Sequence, residues 1–342
     1  MLKLIYSFFS ILILFSVKST AQNDPVSVFN QVWHAYDTLY SGFAVKDIDW
    51  DKLYKIYRPK INENTSESEL FKITTNMLRH LNDNHVQIVK GNPERHFSAG
   101  LIGYMIDDIG FDSTISIFTA LPVSEKYFKQ GINYLHKFSY GWLQDSIAYF
   151  HFGEFKDLDE TQYDMVEILR FFSSSKAMIV DVRRNTGGDD KVGKLIAHYF
   201  ADKKRMFMVT AEKTGNGHND FSDKKIWYVE PQKNINYSNS VILLVDNTSF
   251  SAAENFALAM REIPKVKLVG DFTSGGFADT KWSTLPCGWN VCIPYSLFAD
   301  KNGFCWEGIG IPPDYYIKAD PKKAIIDKDE LVDFAIEFIN TQ

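Results

Sequence analysis

The chain has 342 residues, of which 45% are hydrophobic and 23% are charged. Its length suggests about two domains, and its composition is typical of a globular protein with a large core. The formal net charge is -6 and no polybasic tract is present, so the sequence indicates neither nucleic acid nor an anionic membrane surface as a partner.

The first residues have the pattern of a secretory signal peptide. Lys3 is followed by an apolar run over residues 4–17 and then by the small residues Ser19-Thr20-Ala21. The run is shorter than the roughly 18 residues that a membrane span needs. We therefore expect residues 1–21 to be removed after Ala21, which leaves no integral membrane span and a secreted or periplasmic protein. A retained N-terminal anchor is the open alternative.

Residues 22–92 are predicted to form an N-terminal helical domain of three helices, because apolar residues recur at helical spacing. One helix is expected to begin near Asp47 and end at Tyr57, before Pro59, and another to begin at Ser66. Residues 93–144 are predicted to be an irregular, β-rich connecting region, on the evidence of pieces such as Ile115-Ser116-Ile117-Phe118.

Residues 145–342 alternate between strand and helix patterns, which predicts an α/β core. Strands are predicted at 147–150, 177–180, 241–245 and 266–269, and helices at 163–172, 191–200, 252–260 and 329–339. A β-hairpin region is predicted between the last of these strands and the C-terminal helix.

Ser251 lies where the predicted strand 241–245 gives way to the predicted helix 252–260. A hydroxyl at such a junction is close to the free N–H groups of a helix N-terminus, which suits a nucleophile whose attack creates an oxyanion. The competing interpretation is a capping box, with Ser251 as N-cap and Glu254 three residues later.

Three further segments carry chemistry. The run Asp181-Val182-Arg183-Arg184-Asn185-Thr186-Gly187-Gly188 follows a strand and precedes a helix. Its paired glycines allow a tight turn with outward N–H groups, so an anion-binding nest and a plain turn both remain open, whereas no phosphate-loop pattern is present. The other two segments are Leu81-Asn82-Asp83-Asn84-His85 and the Gly/Pro-rich turn that begins at Glu307.

The three cysteines, Cys287, Cys292 and Cys305, all lie in one C-terminal stretch. Cys287 and Cys292 flank a predicted hairpin turn, so a cross-strand disulfide in an oxidising compartment is one alternative, and the odd number leaves at least one thiol over. No Cys/His spacing is typical of a zinc site, and neither a metal nor an organic cofactor is expected.

Taken together and in this order, the motifs resemble the C-terminal processing (tail-specific) proteases and the tricorn protease core. The matching elements are Asp181-x-Arg183-x-Asn185-x-Gly187-Gly188, Ser251-Ala252-x-Glu254, Thr273-x-Gly275 and Gly310-Ile311-x-Pro313-Asp314. The resemblance covers residues 145–317 and, with the Leu-x-Asp-x-His element, extends to about residue 30. It implies an α/β fold with a ClpP/crotonase-like catalytic core behind a small N-terminal helical domain, and a serine peptidase acting on peptides or proteins.

The resemblance also implies site residues. Ser251 matches the nucleophile, and the oxyanion hole would be the N–H of Ala252 with that of Gly187 or Gly188. The processing proteases use a Ser–Lys dyad, but Gly276 stands where their lysine would be, and no PDZ domain is recognisable. The tricorn-like branch uses a histidine and a glutamate, which match His85 and Glu307.

Asn84 replaces the second serine of the tricorn-like branch. Because an amide can both accept and donate, we expect a relay Ser251–His85–Asn84–Glu307. Two rival interpretations stay open: a non-catalytic ligand- or peptide-binding protein on the same scaffold, and a Ser–Lys hydrolase with a displaced lysine such as Lys281. A homo-oligomer is also left open, and Phe277 and Trp282 are assigned to the core or to the substrate groove.

Overall fold

The computed structural model describes residues 24–90, 96–119, 121–144, 146–318 and 328–342, so the predicted signal peptide lies outside the described residues. Helices alternate with strands along most of the chain. The α-helices are α1 (Pro25–Leu39), α2 (Trp50–Tyr57), α3 (Glu67–Leu78), α4 (Leu101–Ile109), α5 (Phe111–Thr119), α6 (Leu158–Phe171), α7 (Asp190–His198), α8 (Ala252–Arg261) and α9 (Glu330–Thr341).

The strands form three sheets. They are β1 (Gln87–Val89), β2 (His96–Ser98), β3 (Asn133–Leu135), β4 (Phe138–Trp142), β5 (Ile147–Phe152), β6 (Ala177–Asp181), β7 (Arg205–Glu212), β8 (Lys225–Val229), β9 (Ser240–Val245), β10 (Val266–Gly270), β11 (Thr280–Thr284), β12 (Asn290–Pro294), β13 (Ser296–Asp300) and β14 (Tyr315–Tyr316). The sheet orders are β14-β10-β9-β6-β5-β4-β3, β11-β12-β1-β2 and β13-β7-β8.

The seven-stranded sheet is covered on both faces. From β14 to β5 its strands are parallel, and β4 and β3 continue it antiparallel. Alternate residues of β9 point to opposite faces: Leu243 joins the core under α6, α7 and α8, whereas Leu244 joins a second core under α9. This two-sided burial explains why the central strands appear in the sequence as continuous apolar runs.

The predicted N-terminal helices are present, and side chains cap the starts of α2 and α3. Asp49 accepts a hydrogen bond from the Lys52 N–H at 2.8 Å at the start of α2, and Ser66 accepts one from the Glu69 N–H at 3.3 Å at the start of α3. Their core is shared with the β11–β12 hairpin, since Trp289 is buried among these helices. The hairpin also pairs with β1 through β12.

The prediction of β-rich structure over 93–144 is wrong for residues 101–119, which form α4 and α5. Gly100 precedes α4, and Gly110, at φ +84°, ends it. The β-branched residues of this segment are only slightly poorer helix formers than unbranched ones, so local composition did not decide the matter. Strands β3 and β4 do follow, at 133–142.

Cys287, Cys292 and Cys305 are all free, so no disulfide joins the first two in this structure. Within the described residues, no helix has both the length and the apolar character that a membrane crossing requires.

Candidate active site

Ser251 is the N-cap of α8 and follows the end of β9 by six residues. Its backbone is at φ +61° and ψ -122°, a region that residues with a side chain rarely adopt and that costs about 1–3 kcal/mol. Such strain persists only when the surroundings fix it. Here the Glu254 carboxylate accepts a hydrogen bond from the Ser251 N–H at 3.1 Å, as the capping-box interpretation predicts.

Glu254 also fixes the loop that faces the Ser251 turn. Its buried carboxylate accepts the hydroxyl of Thr273 at 2.6 Å and the N–H groups of Gly275 and Gly276 at 2.7 and 2.8 Å. Burial raises the pKa of Glu254 to about 7, and the four hydrogen bonds oppose that rise. One side chain therefore joins the proposed nucleophile to the segment 273–276.

The Gly187-Gly188 turn lies against Ser251. A Cβ on Gly187 would stand 2.6 Å from the Ser251 Cβ and 3.0 Å from the Ala252 nitrogen. The Gly187 N–H is already bonded to the Asn185 side chain at 2.8 Å, and the Gly187 carbonyl accepts the N–H of Phe155.

The Gly188 N–H points away from Phe155, because it is anti to the Gly187 carbonyl across a trans peptide. Within the described part of the chain, neither this N–H nor that of Ala252 has a hydrogen-bond partner. Of the two glycines predicted for the oxyanion hole, only Gly188 therefore has a free donor.

His85 stands in the loop after α3, and its buried ring packs on the ring of Phe250, with the centroids 4.4 Å apart. Phe250 immediately precedes Ser251. Burial lowers the pKa of His85 to about 4, with Asp83 opposing that shift and Lys46 adding to it. The Nδ1 atom is buried and has no hydrogen-bond partner among the described residues.

Glu307 is held by the same loop that Glu254 binds. Its Oε2 accepts the Phe277 N–H at 2.9 Å, while its Oε1 is buried without a partner in the described structure. Burial, and then the negative charge of Asp83, raise the pKa of Glu307 well above its usual range, against the effect of Lys46. His85 and Glu307 thus share the same charged neighbours, and each has one unsatisfied atom of the kind that the other needs.

Comparison with known families decides the assignment. The pattern of Peptidase family S41 matches residues 146–317, and that of the Tricorn protease C1 domain matches residues 22–79. The chain belongs to peptidase family S41. This S41 chain is a serine-type peptidase, and the predicted fold, a helical N-terminal region with an S41-type core, is confirmed.

Solved structures agree. A proposed peptidase from Parabacteroides merdae is 27% identical with a TM-score of 0.78, over 92% of this chain and 96% of that one. Mature CPAF bound to lactacystin is 11% identical with a TM-score of 0.68, over 93% and 97%. The tricorn protease is 15% identical with a TM-score of 0.55, over 93% of this chain but 37% of its own. The last two likenesses show the fold alone.

Asn84 does not occupy the predicted relay position in this S41 chain. Its amide nitrogen donates to the Ser274 hydroxyl at 2.7 Å, and its oxygen accepts the Ile102 N–H at 2.9 Å. Both amide atoms are therefore engaged by segments other than His85 and Glu307. Asn84 ties the start of α4 to the 273–276 loop instead.

At Gly276, the position that carries lysine in the processing proteases, a side chain would overlap a neighbouring ring in this structure. A Cβ on Gly276 would stand 2.3 Å from the ring of Phe250. Lys281 is exposed on β11, Phe277 is buried, and Trp282 on β11 is 51% exposed, so of the two aromatic residues only Phe277 is in the core.

The His85 ring lies beside the turn that carries Ser251, through its contact with Phe250. Within the described residues, no hydrogen bond joins the Ser251 hydroxyl to the His85 ring. Phe250 connects the two segments.

The sequence had indicated Glu254 only as a cap. The Asp83 carboxylate accepts the His85 N–H at 2.9 Å, as aspartates in Asx turns do, so the sequence carried a local signal for Asp83. It carried no signal for Lys46.

The described residues contain one side-chain group with metal-ligand spacing, formed by His136, Glu160 and Asp164. Its His136 Nδ1 lies 2.9 Å from Asp164 Oδ1 and its Nε2 lies 3.8 Å from Glu160 Oε2. A protonated imidazole satisfies both carboxylates at once. We therefore interpret the group as an ion-pair cluster between the β3–β4 turn and α6.

Proposed function

We propose that the peptidase acts through an acyl-enzyme formed on Ser251, with His85 as general base. The acidic residue Glu307 supports His85 as a hydrogen-bond acceptor. The observation that carries this proposal is the strained Ser251 turn, where the Ala252 N–H has no partner among the described residues and the Gly187-Gly188 turn lies close by. Backbone strain of this kind clusters at functional sites. A purely structural helix cap does not require it. The substrate is a peptide or a protein, as family membership indicates.

In the first half-reaction the Ser251 oxygen attacks the carbonyl carbon of the scissile bond, and its proton passes to His85. His85 then donates that proton to the leaving amine as the C–N bond breaks. Water hydrolyses the resulting ester with His85 again acting as base. The low pKa of His85 supports the first step, since the ring is neutral and able to accept a proton at pH 7.

We assign Glu307 to the Nδ1 side of His85. Once the ring is protonated, Nδ1 must donate, and the unpartnered Oε1 of Glu307 is the acceptor with the matching chemistry. Asn84 then has a positioning role, because it fixes the loop beside His85 through Ser274 and Ile102.

We assign the oxyanion hole to the N–H groups of Ala252 and Gly188. Both lack partners within the described residues, whereas the Gly187 N–H is taken by Asn185. Two aimed donors stabilise the developing negative charge, and loss of one such donor costs about 10²–10³-fold in rate.

We also propose that the peptidase works outside the cytoplasm after removal of residues 1–21, on the evidence of the N-terminal sequence. N-terminal sequencing of the protein purified from its host tests this point. A first residue of Gln22 is expected, and retention of Met1 would contradict it.

The catalytic assignment is tested by labelling with a fluorophosphonate probe. We expect the unmodified protein to be labelled, Ser251→Ala to lose labelling entirely, and His85→Ala to label about 10²–10⁴-fold more slowly. Ser283→Ala, a change on β11, is the control and should label normally. A folded protein that takes no label would favour the binding-protein alternative, and labelling of Ser251→Ala would refute the nucleophile.

A further inference from the structure

Lys46, from the N-terminal helical region, holds the loop that carries His85. Its ammonium group donates to the carbonyl oxygens of Leu81 and Asn82 at 2.9 and 3.2 Å. It also donates to the Tyr40 hydroxyl at 2.9 Å and lies 3.4 Å from the Asp83 carboxylate. Only 14% of the Lys46 side chain is exposed, so these contacts lie largely out of water.

The loop needs such a partner because it begins at a helix end. After α3 a short 3₁₀ turn runs to Leu81, and Asn82 then adopts a left-handed conformation at φ +43°. Carbonyl groups at a helix C-terminus have no intrahelical donors and carry partial negative charge, which a cation satisfies well. The three residues that follow are Asp83, Asn84 and His85, so the contacts of Lys46 fix the start of the segment that positions the ring.

The same ammonium group offsets negative charge near the base. The buried Asp83 carboxylate accepts the Tyr40 hydroxyl at 2.9 Å and the His85 N–H at 2.9 Å. Burial raises the pKa of both Asp83 and Glu307, and the positive charge of Lys46 lowers it. The titratable groups that act with Lys46 in this cluster are Tyr40, Asp83, His85, Cys305 and Glu307.

We propose that Lys46 is a positioning residue for the catalytic base: it fixes the His85 loop and, by pairing with Asp83, offsets the negative charge that favours a protonated ring. This inference rests on the proposed function. Burial is the main cause that lowers the pKa of His85, and Lys46 adds to it. Without the cation, the Asp83 carboxylate would favour the protonated ring more strongly, and a protonated ring cannot act as a base.

Three substitutions separate anchoring from charge. Lys46→Met removes both, Lys46→Gln keeps a hydrogen-bond donor without the charge, and Lys46→Arg keeps the charge. The rate of fluorophosphonate labelling is measured against pH for each full-length protein, and thermal melting confirms that each is folded.

We expect Lys46→Met to lower the maximal labelling rate about 10–10²-fold, the scale of a small misplacement of a catalytic group. Its pH midpoint should move to higher pH, because the cation that disfavours protonation of His85 is gone. Lys46→Gln should show the same direction of pH shift with a smaller loss of rate. Lys46→Arg should keep the midpoint of the unmodified protein.

An unchanged labelling rate and pH midpoint in a folded Lys46→Met would overturn the inference. A loss of rate without a shift in midpoint in both the Met and the Gln variants would also overturn it, because that is the signature of a purely structural anchor. If Lys46→Met does not fold, Lys46→Gln decides. Absence of labelling in the unmodified protein would instead count against the proposed function, so the two failures are distinguishable.

Discussion

Ser251 and Glu254 form one short motif that caps α8 and, under the proposed assignment, carries the nucleophile. The Glu254 carboxylate caps the Ser251 N–H and holds Thr273, Gly275 and Gly276. The Glu254 carboxylate binds the backbone N–H of Ser251, so this contact leaves the hydroxyl available for the proposed reaction. The strained turn is stabilised by contacts that reach a separate segment of the chain.

The low pKa of His85 predicts an unusual pH profile. Because burial lowers this pKa to about 4, the ring stays unprotonated well below the ordinary histidine range. We expect the rate of fluorophosphonate labelling to stay level from pH 8 down to about 5.5, and to fall with a midpoint near 4. His85→Ala should lack this midpoint, and a midpoint at 6.5 or above in the unmodified protein would contradict the assignment.

Gly276 is expected to be intolerant of any side chain. The Cβ of Gly276→Ala would overlap the Phe250 ring, on which His85 packs, so we expect a loss of about 1–3 kcal/mol in the free energy of unfolding. Urea denaturation measures the loss. Gly153→Ala is the matched control, since a Cβ there meets nothing within 4 Å, and equal stability of the two variants would show that the ring moves aside freely.

Several site residues were predictable because their signals are local in sequence. The strand-to-helix junction indicated Ser251, and the spacing Ser-x-x-Glu indicated its cap. The actual contacts of Asn84 were not predictable, because the partners of its amide, Ser274 and Ile102, come from segments 190 and 18 residues away. Lys46 gave no signal, since only the folded chain brings it to the end of α3.

At the scale of elements, the main strands and helices of the core were predictable and the segment 101–119 was not. Strands such as β6 and β9 are buried on both faces, so their composition is unambiguous. The α4–α5 pair depends on Gly100 and Gly110 for its ends and on the Asn84 side chain, which accepts the Ile102 N–H in the first turn of α4. Such long-range capping is not visible in a local pattern.

The His136 cluster is expected to hold the β3–β4 turn on α6 in a pH-dependent way. The hydrogen bond to Asp164 is the main cause that raises the pKa of His136 above 6.5. A raised pKa contributes stability that is fully present below about 6.5 and is lost as the pH rises through the folded-state value. The melting temperature of His136→Gln should therefore fall below that of the unmodified protein by more at pH 5.5 than at pH 9.

His34→Gln, a change at an exposed histidine on α1, is the control for this measurement. A difference for His136→Gln that is equal at both pH values would mean that the histidine acts through packing alone.

At the scale of the whole molecule, Arg183 links the segment after β6 to the C-terminal helix. Its guanidinium binds the Asp181 carboxylate at the end of β6 and, with two nitrogens, that of Asp329. Asp329 in turn caps α9 by accepting the N–H groups of Leu331 and Val332. The segment that begins at Asp181 also carries Asn185 and Gly188, so α9 and the proposed oxyanion hole are supported by one buried network.

Arg183→Met should be strongly destabilising. Removing the guanidinium leaves two buried carboxylates without their cation, for which we expect a loss of about 3–5 kcal/mol in the free energy of unfolding and faster proteolytic removal of α9. Urea denaturation and limited proteolysis measure these effects. Arg170→Met, which breaks an exposed pair with Glu167, should cost less than about 1 kcal/mol, and a similar cost for both would contradict the role of the network.

The core shared by the N-terminal helices and the β11–β12 hairpin bears on when activity begins during synthesis. The helices leave the ribosome first, yet Trp289 and Val291 complete their core, and β12 pairs with the strand that follows His85. A growing chain therefore holds His85 long before it holds Ser251, and Glu307 comes later still. Under the proposed assignment the nascent peptidase cannot cut its neighbours until Glu307 has been translated.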